Sequence, residues 1–252
     1  MKRTAGWLAV GAACVLLAAC AGPQAELDKE DAAQLAYDIG LGAMAEGNMT
    51  KAISELGKAA EYAPMNARYQ HALGNAHLRA EEIDKAIVAF RRAVELDPRF
   101  SDAFNDLGAA YTRRQQYDLA IDAFRKAVAN PRYLNPERAY MNLGNTYMVL
   151  GRYGMAAEEF RRVADIVPQS PDGYFLLGRA LLAQGKVAEA KGQFEKALKI
   201  DGTIAVFHLD MGIAQVRLGD KAQAREHFRR AVDLNPAGPE AEEARRRLQE
   251  LN

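Results

Sequence analysis

Histidine and cysteine, the side chains that most often bind metals or act as nucleophiles, are few in this sequence and far apart. The four histidines do not have the spacing of metal ligands: they are His71, His77, His208 and His227. Cys14 and Cys20 are the only cysteines, so no thiol after position 20 could form a disulfide or a metal site. The sequence also contains no glycine-rich phosphate loop and no nucleophile elbow. We therefore predict a protein that is not an enzyme and that binds no metal ion, no other cofactor and no small-molecule substrate.

The residues around Cys20 predict a covalent modification. Lys2 and Arg3 form a positive head, and an uncharged apolar run follows at residues 7–19. A run of about 13 residues is too short to cross a bilayer, which needs roughly 20, but it suits a signal peptide. It ends in Leu-Ala-Ala-Cys, which resembles the lipobox of bacterial lipoproteins. The resemblance implies that residues 1–19 are removed and that the Cys20 sulfur carries a lipid; the alternative is an ordinary secretory signal with an accidental cysteine.

The residue after the cysteine bears on where the lipid holds the protein. In bacterial lipoproteins an aspartate at this place often causes retention at the inner membrane, and this chain has Ala21. The resemblance therefore implies a protein that is lipid-anchored at the bacterial outer membrane and faces the periplasm, with contact to the membrane through the lipid only. Residues 20–32 are predicted to form the lipidated cysteine and a short polar tether.

A regular series of glycines indicates that one helical unit is repeated along the chain. The glycines are separated by 34, 34, 36, 34 and 34 residues and are Gly40, Gly74, Gly108, Gly144, Gly178 and Gly212. Twelve residues after each glycine stands an alanine: Ala52, Ala86, Ala120, Ala156, Ala190 and Ala224. Four residues further stands a large apolar side chain: Leu56, Phe90, Phe124, Phe160, Phe194 and Phe228. A shared period of this length is typical of repeat proteins.

Each unit is predicted to consist of two amphipathic helices joined by a tight turn. In the third unit, one helix face is indicated by the i, i+3, i+4 and i+7 spacing of Phe104, Leu107, Gly108 and Tyr111. A glycine in such a face costs about 1 kcal/mol relative to alanine, so we expect a close contact there, with the second helix approaching through its alanine. The predicted units are residues 33–66, 67–100, 101–134, 137–170, 171–204 and 205–238, followed by a capping helix at 239–252.

The repeated motif resembles a known family. Leu107-Gly108-x-x-Tyr111 followed by Ala120-x-x-x-Phe124 is similar to the tetratricopeptide repeat. The resemblance covers nearly everything after the predicted tether. It implies an all-α fold, namely a right-handed superhelical solenoid of six tetratricopeptide helix-turn-helix repeats plus a C-terminal capping helix.

The resemblance also implies where a protein partner would bind. In tetratricopeptide proteins one stripe on the first helix of each repeat lines the concave groove. The candidate partner-binding residues on this stripe are Tyr37, Leu41, Met44, His71, Asn75, Met141, Asn145, Met148, Phe175 and Arg179. Methionine and aromatic side chains suit an adaptable protein-binding surface, although burial against a neighbouring repeat is the alternative for many of them. The 33 basic and 33 acidic residues balance, so the sequence does not indicate a nucleic-acid partner.

The step of 36 residues contains an elbow that resembles a more specific family. It reads Tyr133-x-x-Pro136-Glu137, with Leu143-Gly144 following, although an ordinary longer loop would also fit. Pilotins, the tetratricopeptide lipoproteins of type IV pilus biogenesis, carry a similar elbow at this repeat. The resemblance implies a protein that binds the secretin subunit, carries it to the outer membrane and promotes its multimerisation. The alternative function is a general scaffold that recruits envelope proteases or peptidoglycan hydrolases.

Overall fold

The computed structural model describes residues 22–251, and side chains from residue 28 onward. Over these residues the chain forms thirteen α-helices and no β-strand. In chain order they are α1 (Gly22–Ala45), α2 (Met49–Tyr62), α3 (Ala67–Arg79), α4 (Ile83–Leu96), α5 (Ser101–Arg113), α6 (Tyr117–Ala129), α7 (Pro136–Val149), α8 (Tyr153–Ile166), α9 (Pro171–Ala183), α10 (Val187–Ile200), α11 (Ala205–Leu218), α12 (Lys221–Leu234) and α13 (Pro239–Glu250). The first twelve form six consecutive pairs that coincide with the predicted repeats, which confirms the predicted all-α fold.

The first helix begins earlier than predicted. The sequence led us to expect a tether at residues 20–32, but the chain is helical from Gly22 onward. Pro23 falls in the first turn, where its missing N–H costs no hydrogen bond, and the residues after it include the good helix formers alanine, glutamate and leucine. The tether prediction is therefore corrected to a helix for this part. Cys20 and the predicted signal peptide, residues 1–19, lie outside the described residues.

The two helices of every pair are joined by the same left-handed turn. One residue in each turn has a positive φ: Gly47, Glu81, Gln115, Gly151, Gly185 and Gly219. In the first turn Asn48 N donates to Ala43 O at 2.9 Å and Gly47 N donates to Met44 O at 3.2 Å, which is a Schellman motif. The other five turns repeat these two hydrogen bonds. The motif satisfies the last carbonyls of the first helix and reverses the chain, so the second helix can pack against the first.

The repeated glycines lie at close contacts between paired helices, but the contacting residue differs from our expectation. A Cβ atom added to Gly178 would stand 2.5 Å from the ring of Phe194, too near for any real side chain. The equivalent pairs are Gly40 with Leu56, Gly74 with Phe90, Gly144 with Phe160, and Gly212 with Phe228. We predicted that the alanine of the second helix would face the glycine. Instead the large apolar residue one turn later fills that place, because its side chain occupies the gap left by the missing one.

The repeated alanines and the remaining glycine also lie in the interior. All six alanines are completely inaccessible to solvent: Ala52, Ala86, Ala120, Ala156, Ala190 and Ala224. Gly108 is buried as well. The small side chains therefore let the helices pack closely, as the repeated positions indicated.

The chain divides into two compact units, which meet in sequence between Ala110 and Tyr111. In the first unit, α1, α2, α3 and α4 pack in consecutive order. Tyr69 of α3 is buried in a cluster with alanines of α1 and α2, so the second pair is fastened to the first. Burying one such aromatic ring provides a large share of the apolar contact between two repeats.

The second unit continues the same packing to the end of the chain. Consecutive helices from α6 to α13 contact one another. Gly173 allows α9 to approach α8 closely, since a Cβ there would lie 2.6 Å from the backbone nitrogen of Ala164. Within the segment predicted as a capping helix, Ala244 of α13 and Leu251, which follows α13, lie in a cluster with Phe228 of α12. The last repeat is therefore covered by a helix whose other face is charged.

Candidate functional site

In the first unit, the predicted stripe on α1 is apolar and partly accessible. Leu41 is exposed, whereas Tyr37 and Met44 are half-buried and pack on the core between the first two pairs. The Tyr37 ring lies 5.0 Å from the ring of Tyr69, and the Arg68 guanidinium lies 5.6 Å from the Tyr37 ring. The core thus fixes the position of Tyr37 and leaves one side of it open to a partner.

A polar network continues the stripe onto α3 and α5 of the first unit. His71 Nε2 lies 2.8 Å from Asp106 Oδ2, and the Asn75 amide nitrogen lies 3.2 Å from the same ring nitrogen. Asn105 donates a hydrogen bond of 3.2 Å to the other Asp106 oxygen. The predicted residues His71 and Asn75 are therefore brought together. Asp106 completes the group, and its place in the sequence gave no sign of this role.

In the second unit, α7 carries three of the predicted residues on one face. Asn145 is exposed, and Met141 and Met148 are half-buried. Their spacing of four and three residues places them on one side of the helix. Asn75 and Asn145 have the same place in their repeats, but only Asn75 contacts a histidine ring in this structure. The exposed amide of Asn145 is the better placed of the two to contact a peptide backbone.

Phe175 is not part of an accessible surface, which corrects its prediction as a partner-binding residue. Its side chain is only 7% exposed. The ring lies 4.4 Å from the ring of Phe207 and 5.9 Å from that of Phe194. Because the following pair supplies Phe207, the ring is buried between repeats, and helical spacing alone could not distinguish this from exposure.

Arg179 and Asp210 form an ion pair on the same side of α9 and α11. Arg179 is half-exposed, its guanidinium lies 5.8 Å from the Phe175 ring, and its Nε lies 3.4 Å from Asp210 Oδ2. That separation is longer than the 2.7–2.9 Å of a charge-assisted hydrogen bond. The Asp210 side chain is only 14% exposed. Burial raises the pKa of its carboxyl to about 6, and the Arg179 charge offsets only part of this effect. The sequence carries no signal for this buried carboxyl.

The four histidines form pairs rather than a cluster. His71 contacts Asp106, His77 Nδ1 lies 2.6 Å from Glu82 Oε2, and His208 contacts His227. Within the described part of the chain, no three or more histidine, cysteine, aspartate or glutamate side chains come together as a metal site. No helix between residues 22 and 251 is long and apolar enough to span a bilayer.

Comparison with known families gives one consistent match. A family model described as tetratricopeptide repeat matches residues 37–98, 71–134, 132–171 and 141–203, and a second model of that description matches residues 181–248. Human DnaJ homolog subfamily C member 7 is 25% identical over 100 residues, which are 40% of this chain and 20% of that protein. The chain thus matches about a fifth of the length of that relative.

Two solved structures are similar over most of the chain. PilF of Pseudomonas aeruginosa superposes with a TM-score of 0.72 at 21% identity, covering 87% of this chain and 99% of that one. PilW, described as a widely conserved type IV pilus biogenesis factor, superposes with a TM-score of 0.71 at 22% identity, covering 87% and 97%. At these identities the likeness establishes a shared fold.

Proposed function

Because the chain belongs to the tetratricopeptide-repeat family, we propose that it is a non-catalytic, periplasm-facing lipoprotein of the outer membrane that binds a protein client. Its client in this proposal is the type IV pilus secretin subunit, which it helps to localise and to multimerise. The binding is non-covalent and uses the accessible residues of the predicted stripe on the first helices, while the lipid on Cys20 holds the complex at the membrane.

One observation carries this proposal. The helix pairs follow a sequence that resembles a lipobox, and their fold matches PilF and PilW along nearly the whole length of both proteins. PilW is described as a type IV pilus biogenesis factor, and the elbow from Tyr133 to Glu137 resembles that of pilotins.

The structure also indicates how an anchored repeat protein would present its client. Cys20 stands two positions before Gly22, where the described part of α1 begins, so a lipid on Cys20 would hold the N-terminal end of the first pair at the membrane surface. In that pair the exposed Leu41 lies beside the half-buried Met44. Apolar side chains of this kind bind apolar client segments without demanding one exact sequence. The proposed carrier thus holds a client close to the bilayer in which that client assembles.

The test is the heat- and detergent-resistant secretin multimer, detected by immunoblot in a strain that lacks this gene. We expect the multimer to be lost while the secretin monomer remains, and wild-type protein to restore it. A Cys20→Ala variant should fail to restore it, although its repeat domain stays folded by circular dichroism. Unchanged multimers in the deletion strain would contradict the proposal and favour the scaffold function. Affinity capture would then test for envelope proteases or peptidoglycan hydrolases.

A further inference from the structure

His208 and His227 contact each other through their imidazole rings. The two Nδ1 atoms lie 2.8 Å apart, and the ring centroids are separated by 5.1 Å. The other ring nitrogen of His208, Nε2, lies 3.1 Å from the carbonyl oxygen of Gly202, in the turn between α10 and α11. A single imidazole therefore links this turn and α11 to α12.

The acceptor at Gly202 determines where the hydrogens must be. A carbonyl oxygen can only accept, so Nε2 of His208 carries a hydrogen and donates it. In neutral His208 the Nδ1 atom is then an acceptor, and His227 must donate from its own Nδ1. The neutral pair thus has one hydrogen between the two Nδ1 atoms, and His227 Nε2 is its free basic nitrogen.

The first and second added protons have opposite effects on this contact. The first binds at His227 Nε2, and the hydrogen bond to His208 persists, now donated by a cationic ring. For the second proton only Nδ1 of His208 is left. With that proton in place, two N–H groups and two positive rings face each other across 2.8 Å. The rings must then separate, so the second proton requires the contact to open.

The surroundings of the pair make both imidazoles harder to charge. Burial lowers the pKa of His208, and the charge of Arg230 lowers it further against the opposing effect of the Gly202 carbonyl. Burial also lowers the pKa of His227, with the charge of His208 as the next cause. The charged groups that face the pair are Lys191 and Glu195 of α10, and Glu226, Arg229, Arg230 and Asp233 of α12.

Solvent can reach the pair. A cavity of about 390 Å³ is lined by both imidazoles and by the charged residues of α12. Protons can therefore enter and leave without global unfolding. Elsewhere α11 and α12 meet through apolar groups, as where the Phe228 ring lies against Gly212, so opening of the histidine pair leaves that contact in place.

We propose that the His208–His227 pair is an acid-sensitive link that detaches α12 from the α10–α11 turn when the pair takes up its second proton. The link involves neither the client nor the lipid, so it goes beyond the proposed function and can fail or hold independently of it. Because the imidazoles are charged more easily in the unfolded chain, acid also lowers the stability of this region as the pH falls below the ordinary histidine pKa.

The test is NMR of the purified, uniformly ¹⁵N-labelled full chain in detergent as a function of pH. At neutral pH we expect His208 as the Nε2–H tautomer and His227 as the Nδ1–H tautomer. Two protonation steps of the pair should be separated by more than about one pH unit, as for any strongly interacting pair. The backbone amide of Gly202 should shift with the lower step and not with the upper one. The wild-type measurement alone overturns the proposal if both rings are Nε2–H tautomers or if the steps coincide.

Variants separate this link from other acid-sensitive groups near the turn. Asp201 accepts hydrogen bonds from Thr203, which lower its pKa, so its own protonation also shifts these amides. His227→Gln keeps Asp201 and should remove the response of Gly202 to the lower histidine step. His77→Gln, which removes a histidine outside the pair, should leave that response unchanged. If the Gly202 response persists in His227→Gln, the proposal is wrong.

Discussion

At the residue scale, the repeated glycines show how one missing side chain sets the spacing of two helices. Five of them face a leucine or phenylalanine so closely that no Cβ would fit without a shift. These large side chains are fully buried, so they cannot move aside into solvent. The cost of glycine in a helix is thus offset by the packing that it permits.

We predict that Gly178→Ala destabilises the protein by about 1–3 kcal/mol, since overpacking against the Phe194 ring outweighs the better helix propensity. Gly192→Ala is the matched control, because Gly192 lies in the second helix of the same repeat and nothing approaches its Cβ position. That change should stabilise the protein by up to about 1 kcal/mol. Urea unfolding followed by circular dichroism measures both. Equal effects of the two substitutions would refute the packing explanation.

The buried carboxyl of Asp210 makes the stability depend on pH. Its pKa in the folded protein is about 6, above the ordinary value of 3.8. Its protonated form therefore stabilises the fold at low pH, and this contribution is lost as the pH rises through 6. We expect the free energy of unfolding of Asp210→Asn, relative to that of wild type, to increase by on the order of 2 kcal/mol when the pH rises from 4 to 7.5.

The measurement is the free energy of unfolding of wild type and variant at both pH values. Asp118→Asn serves as the control, because Asp118 is almost fully exposed and lies 3.9 Å from Arg152. As a surface substitution it should change the free energy of unfolding by less than about 0.5 kcal/mol. If the free-energy difference between Asp210→Asn and wild type is the same at both pH values, the carboxyl is better solvated than its burial indicates.

At the scale of the elements, the left-handed turn is the feature shared by all six helix pairs. Four of the turns have glycine at the residue of positive φ, while Glu81 and Gln115 adopt the same conformation with φ of 62° and 59°. For a residue other than glycine this conformation costs about 1–2 kcal/mol. The hydrogen bonds of the turn and the packing of the pair therefore maintain these two strained residues.

We predict that Glu81→Gly stabilises the protein by about 1 kcal/mol, because glycine adopts the turn without strain, even though it also gains freedom in the unfolded chain. Glu81→Ala removes the same exposed carboxylate and keeps the strain, so it should change the stability little. Thermal unfolding of the two variants in parallel gives the comparison. A stabilisation shared by both would indicate that charge, not backbone strain, was responsible.

At the scale of the whole molecule, the proposed function depends on which helix of each pair meets the client. Leu41 on α1 and Asn145 on α7 belong to first helices and are exposed in their respective units. Val88 on α4, a second helix, is exposed to 69%. These three positions can be changed without disturbing buried contacts, so they separate binding from folding.

We expect Leu41→Glu together with Asn145→Arg to reduce the secretin multimer several-fold in the complemented deletion strain. The control is Val88→Glu, which adds a charge to a second helix and should restore the multimer as wild type does. Each variant should keep the wild-type melting temperature, since surface substitutions usually change stability by less than about 0.5 kcal/mol. Loss of function in Val88→Glu alone would place the client on the second helices.

The helix pairs are predictable from the sequence alone. A period of 34 residues, with glycine and alanine at fixed places, can be satisfied only by a repeated unit that packs on copies of itself. The pairing of the helices, the buried alanines and the presence of a close contact at five of the glycines follow from that local pattern, although the residue that makes this contact was predicted wrongly. The prediction of a tether was wrong because a proline in the first turn permits a helix. A proline near a predicted boundary therefore does not reveal on which side of it the helix lies.

Which side chain of another helix meets a given residue is known only from the tertiary structure. Phe175 has the spacing of a surface residue, and it is buried because Phe207 of the next repeat packs against it. The contact of His208 with His227 joins residues 19 positions apart. Asp210 acquires its raised pKa from burial, which no sequence position records. Helical periodicity states which residues share a face, whereas burial and electrostatics arise from the side chains that a neighbouring helix brings to that face.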